Sequence, residues 1–173
     1  MYEAIVRSIM KGDIEKFNAL VQQESDLNVV TENDSWNLLH RALMSDSAPP
    51  KPEVIKTLID RGVNINARDR YGNVPLHYAA RLKKPELIKM LLDVGAEIDP
   101  VNKDALTPLR LMLTSNPPNL EAIELFLSRG ANMDQKVEGG KTVKEYAEII
   151  SHGDTQGIID LFNKYSNRTG KDR

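Results

Sequence analysis

Apolar positions recur along this chain in a regular pattern of stripes. Val54, Ile55, Leu58 and Ile59, then Leu87, Ile88, Leu91 and Leu92, then Ala122, Ile123, Phe126 and Leu127 fall at i, i+1, i+4 and i+5. That spacing lines one side of an α-helix. Each stripe runs to a glycine, Gly62, Gly95 or Gly130, a residue that ends helices by entering the left-handed conformation. Pro52 and Pro85 stand where the first turn of a helix has no need of an amide donor. Ahead of each stripe lies a shorter helical segment, at residues 35–43, 72–80 and 105–113, with a weaker counterpart at 140–148. With Asn37, Val74, Thr107 and Thr142 taken as equivalent, the spacings are 37, 33 and 35. The chain is therefore an internal repeat with a period near 33 and insertions, each unit reading helix, turn, helix, stop.

Polar, turn-rich stretches at residues 66–72 and 99–105 link one unit to the next. Their Asp, Asn and Gly residues predict tight hairpins that protrude from the stack. An N-terminal unit follows the same logic, with Ile5 and Ile9 on a first helix, a Gly12-Asp13 turn, and Phe17, Leu20 and Val21 on a second. Two helix-to-helix connections are enlarged, at residues 45–51 with Pro49-Pro50 and at 115–119 with Pro117-Pro118. Residues 166–173 contain no apolar side chain and read as a flexible tail.

Pro75-Leu76-His77-Tyr78-Ala79-Ala80, followed by Leu91-Leu92 and Gly95-Ala96, resembles the ankyrin repeat. The resemblance implies an all-α solenoid of helix-turn-helix units with short β-hairpin loops, in a single domain over residues 1–165. Residues 1–30 would form an N-terminal cap, 31–66, 67–99 and 100–134 three internal repeats, and 135–165 a C-terminal cap. Departures from the pattern are informative. The repeat's threonine is replaced by Asn37 and Val74, its histidine by Arg110 in the third internal unit, and its buried leucine by Lys144 in the last. A lysine there fits a terminal unit whose outer face meets water. The resemblance also implies that His40 and His77 join hydrogen bonds between neighbouring repeats rather than holding a metal.

Composition narrows the function. In 173 residues, 40% hydrophobic and 28% charged, basic and acidic groups balance at 23 and 25 for a net charge of -2. Charges of both signs are interspersed, so neither nucleic acid nor a membrane surface is an expected partner. No apolar run approaches the length of a membrane span, and an acidic Glu3 sits where a signal peptide would be basic. The absence of cysteine excludes disulfides and thiolate chemistry, and with the lack of a signal it gives the expectation of a cytoplasmic protein.

Candidate chemistry is sparse. Gly140-Lys141-Thr142 has the end of a phosphate-binding loop, but the glycine that motif needs further upstream is Gln135. Ser151, His152 and Asp154 name a hydrolase triad, yet neighbours on a turn cannot line up as nucleophile, base and orienting acid. Asn167-Arg168-Thr169 is a sequon without a secretory route. The acidic residues are not paired in apolar settings suited to acid catalysis. An enzyme is not expected, and no cofactor or metal is either.

What remains is a surface for another protein. In an ankyrin-like stack, the hairpin tips and first helices wall a groove, and alignment places Asn33, Asp34, Trp36 and Arg41 of the first internal repeat on it. Arg70, Tyr71, Asn73 and Tyr78 of the second and Lys103, Asp104, Leu106 and Leu111 of the third follow, with Glu138 and Tyr146 in the last. Aromatic residues are only 5% of the chain, so their gathering here with arginine is a bias toward binding. The competing expectation is that Trp36 packs onto its own cap and that Tyr78 and Leu111 pack between repeats. The chain also resembles small bacterial ankyrin proteins of the toxin-immunity type. That likeness implies one protein partner, a toxin domain encoded by an adjacent gene, bound by a protein that is monomeric when free. The alternative is an ankyrin adaptor or inhibitor of the kind that binds cyclin-dependent kinases, and the third reading is a cryptic enzyme.

Overall fold

A computed structural model describes residues 1–24, 26–44, 50–114, 117–150 and 156–169. The order of elements is α1 (Tyr2–Lys11), α2 (Ile14–Gln23), α3 (Leu38–Leu43), α4 (Pro52–Asp60), α5 (Pro75–Leu82), α6 (Pro85–Asp93), α7 (Pro108–Met112), α8 (Leu120–Ser128), α9 (Val143–Ile149) and α10 (Gln156–Thr169), with a short 3-10 turn at Glu138–Gly140. Helix starts are set by local chemistry. Asp13, Asn37, Thr107, Asn119 and Thr142 each accept an amide hydrogen in the first turn through the side chain, and Pro52, Pro75, Pro85 and Pro108 open four other or overlapping helices. Gly62, Gly95 and Gly130 end the second helices with φ of 75°, 90° and 85°.

The helices form two layers. Inner helices α1, α3, α5, α7 and α9 pack in succession, and outer helices α4, α6, α8 and α10 do the same, while the two helices of each unit pack on each other. The amphipathic pattern explains the arrangement, because each unit exposes an apolar flank that only the next can cover. Ile5, Phe17, Leu39, Ile55, Leu76, Ile88, Leu109, Ile123, Phe126 and Phe162 are buried along one continuous core. In the last inner helix Lys144, at the place of Leu39, Leu76 and Leu109, is only half-buried, as an end unit allows.

Three expectations are revised. The tips carry no paired strands among the described residues: each is a tight loop closed by main-chain bonds, such as Asp69 N–H to the Asn73 carbonyl and Gly72 N–H to the Asp69 carbonyl, both at 2.9 Å, with one isolated bridge between Lys136 and Thr142. Residues 166–169, expected in a tail, belong to α10, which continues to Thr169, and 170–173 lie outside the described residues. Leu92 is half-buried where Leu91 is fully buried, so the paired leucines are unequal members of the core. Residues 45–49, 115–116 and the Ser151, His152, Asp154 group lie outside the described residues.

Candidate binding face

Successive tips are stitched edge to edge. Arg70 N–H donates to the Asp34 carbonyl at 2.9 Å, and Lys103 N–H donates to the Tyr71 carbonyl at 2.9 Å. The same register is used twice, so the first three tips form a continuous rim. Arg68 braces it by donating to the Gly72 and Val101 carbonyls and pairing with Glu97. On this rim Arg70 faces the Asp34 carboxylate at 3.7 Å and lies over the Tyr71 ring at 5.2 Å. Tyr71 is 48% exposed; Asn33, Arg70, Lys103 and Asp104 are exposed beside it.

Not every sequence-predicted contact residue is free. Asn73 and Tyr78 are buried, at 2% and 5% exposure, and are corrected to internal ties. The Tyr78 hydroxyl donates to Asp69 at 2.6 Å, Asp69 accepts the Tyr71 and Asn73 amides at 2.8 Å each, and Asn102 donates to the Asn73 side chain at 2.8 Å. This chain of bonds crosses from one repeat to the next beneath the tips. Burial and the negative Asp69 push the Tyr78 hydroxyl up to about 12, while Asp69, though penalised by burial, is held below its usual value by the donors of Tyr78, Asn73 and Tyr71. Sequence reasoning missed Asp69 and Asn102; their signal was present, since each stands five residues before the helix-entry residue, Val74 or Thr107. Leu106 and Leu111 are half-buried, and the Leu106 carbonyl is occupied by His77.

The histidines bridge repeats as the resemblance implies. Each accepts a main-chain N–H at Nδ1, from Asn37 or Val74, and spans with Nε2 to the Asn73 carbonyl (His40) or the Leu106 carbonyl (His77), both at 3.1 Å. An accepting Nδ1 requires a neutral ring that donates from Nε2. Burial lowers both imidazoles, His77 to about 4. Glu138 and Tyr146 are likewise structural: Arg110, only 6% exposed, pairs with Glu138 and stacks 3.6 Å from the centre of the Tyr146 ring.

The remaining predicted residues meet at the N-terminal end. Between α1 and the first tip opens a cleft of about 460 Å³ lined by Tyr2, Glu3, Val30, Glu32, Trp36 and Arg41, among others. Tyr2 closes its back by donating to the Trp36 carbonyl at 3.2 Å. Trp36 is half-buried, so it both packs on the cap and faces the cleft. Its indole N–H lies against the Tyr78 hydroxyl without completing a hydrogen bond of good geometry. Arg41 covers the Trp36 ring at 5.3 Å and donates to the Met10 sulfur at 3.2 Å. Tyr2, Val30 and Glu32 were not foreseen on this face, because the N-terminal unit lacks the repeat signature that guided the alignment.

No group of three or more metal-ligating side chains converges among the described residues. Gly140-Lys141-Thr142 is the entry to α9, where Thr142 and Glu145 cap the helix reciprocally. One carboxyl departs from the expectation of ordinary acids: Asp99 is raised by burial, and one of its oxygens has no partner while the other accepts the Asn132 amide. It stands alone between repeats.

Residues 5–102 match the family model for ankyrin repeats in three copies. The chain belongs to the ankyrin-repeat family. It is 33% identical over 93 residues to the putative ankyrin repeat protein FPV219 of fowlpox virus (strain NVSL), a match covering 54% of this chain and 20% of that protein. The chain thus spans about a fifth of the relative's length. Ankyrin repeats are protein-protein interaction modules, and no helix among the described residues is long and apolar enough to cross a membrane.

Proposed function

We propose that this ankyrin chain is a non-catalytic module that binds one protein partner through its tip rim and the adjoining inner helices. The observation that carries the reading is the main-chain stitching of the tips. It holds Asn33, Arg70, Tyr71, Lys103 and Asp104 in a rigid exposed row, so little ordering entropy is lost on binding. Arginine and tyrosine stacked on one another at the centre of that row match the residue types that dominate interface energetics. Replacing both Arg70 and Tyr71 by alanine should weaken capture of the native partner without altering the fold. Full retention of binding by that double variant would place the interface elsewhere.

The finer reading is an immunity protein that occupies a toxin domain encoded by an adjacent gene. It draws on the sequence resemblance alone; the viral relative does not bear on it. Co-purification with the product of the neighbouring gene supports it, and recovery of nothing at micromolar concentration overturns it.

A further inference from the structure

Arg41 is a half-buried cation that no carboxylate meets among the described residues. Its Nε is buried without a hydrogen-bond partner. Its contacts are the Trp36 ring and the Met10 sulfur, both weak for a guanidinium withdrawn from water. Arg110, the other interior arginine on an inner helix, has Glu138 for a partner. Arg41 differs in lining an open cleft where Tyr2, Val30 and Trp36 stand among polar neighbours, the carboxylates of Glu3, Glu32 and Asp34 included.

From this arrangement we propose that the cleft between α1 and the first tip is a subsite for one acidic side chain of the protein partner, its carboxylate seated on Arg41 and its stem against Trp36 and Tyr2. The proposal rests on the reading of this face as the protein interface and names the chemistry of one contact. A carboxylate in the cleft would meet the terminal guanidinium nitrogens, whose hydrogen bond among the described residues is to the Met10 sulfur and not to an oxygen. Glu3 and Glu32 are exposed on the rim. They oppose a free anion in general, so occupancy depends on a carboxylate delivered on a chain that reaches past them to the floor. Asp34, also at the rim, is turned toward Arg70.

The test uses the single tryptophan. The full chain is titrated with three end-blocked hexapeptides that differ only in a central Glu, Gln or Lys, and the Trp36 indole and Arg41 Nε–H signals are followed by NMR. The Glu peptide should shift both saturably, with binding weakened about tenfold in Arg41→Gln. Glu3→Gln with Glu32→Gln should tighten it about twofold. Absence of a shift at Trp36 with the Glu peptide, an equal shift with the Gln peptide, or tighter binding of the Lys peptide each overturns the proposal. Peptide-induced shifts at Arg70 and Tyr71 without any at Trp36 would sink the subsite and leave the rim as the interface. Shifts confined to Lys89 and Ser128 on the outer helices would sink both.

Discussion

Arg110 reaches Glu138 in the following unit along the line on which the two histidines of the earlier repeats reach main-chain carbonyls. The neutral bridge of two repeats becomes a charged one in the third, and Tyr146 stacks on it. This anchors the last inner helix, whose own core-facing position is Lys144 rather than leucine. Removing the cation would leave Glu138 without its partner at a site 30% exposed, so Arg110→Ala should cost about 2–3 kcal/mol, and Glu138→Gln about 1 kcal/mol. Urea unfolding of both variants checks the order; an Arg110→Ala variant as stable as the parent would show that the C-terminal unit is held by its apolar contacts alone.

The His77 bridge makes stability depend on pH. Its folded value, about 4, lies below the 6.5 of an unfolded histidine because burial disfavours the cation, with Arg81 and Arg68 adding to the effect against the Leu106 carbonyl and Asp69. Between these values the unfolded chain takes up a proton that the folded one refuses. Stability is therefore full above about pH 6.5, falls as the pH drops toward 4, and levels off below, as far as this group is concerned. His40, lowered by burial as well, acts in the same direction. The loss from His77 is on the order of 3 kcal/mol. His77→Gln, which can still donate to the Leu106 carbonyl, should flatten the profile measured by urea melts between pH 7.5 and pH 4.5. An unchanged slope in that variant would mean other groups carry it.

Tyr78 and Tyr71 should separate stability from binding. Tyr78→Phe removes the donor to a buried Asp69 and should cost about 1–3 kcal/mol, whereas Tyr71→Ala and Arg70→Ala, on the exposed rim, should stay within about 0.5 kcal/mol of the parent. Partner capture should show the reverse order. If Tyr78→Phe leaves the denaturation midpoint in place, the buried chain from Tyr78 to Asn102 does not tie the repeats.

The fold was legible because its causes are local and repeated. Glycine stops, proline starts and a 3.6-residue apolar period state each helix in its own few residues. The site was less legible, and Tyr78 shows why: on the sequence it is an aromatic residue on an inner helix, equally suited to groove or interior. Only the distance to Asp69, nine positions away in sequence, decides between them. Asn73 failed in the same way, since a polar residue in a turn is ordinarily solvated and this one is paired through Asn102 of the next repeat. Leu91 and Leu92 looked alike by pattern, yet the first is wholly enclosed and the second only half. Leu91→Ala should accordingly cost about 2–5 kcal/mol and Leu92→Ala clearly less, as thermal or urea melts of the two variants would show. The cleft at Trp36 and Arg41 depends on how the N-terminal unit docks on the first tip, which no repeat motif encodes.

Gly72 joins two tips and should be the costliest of the turn glycines to replace. Its φ of +78° already disfavours any side chain, and a Cβ there would stand 3.2 Å from the Lys103 nitrogen and 3.4 Å from the Asn102 Cα. Those atoms are backbone, fixed by the bond from Lys103 N–H to the Tyr71 carbonyl, so they cannot swing aside as a side chain would. Gly62, with φ of +75°, has nothing within 4 Å of the same added carbon. Alanine at Gly62 therefore carries only the backbone term, about 1 kcal/mol, while alanine at Gly72 adds steric displacement of the next tip for a total of about 2–3 kcal/mol. Faster hydrogen exchange at the Lys103 amide in Gly72→Ala, and not in Gly62→Ala, would locate the damage at the stitched rim. Equal costs and unchanged exchange would mean that the tips are set independently and the rim is less rigid than its hydrogen bonds imply.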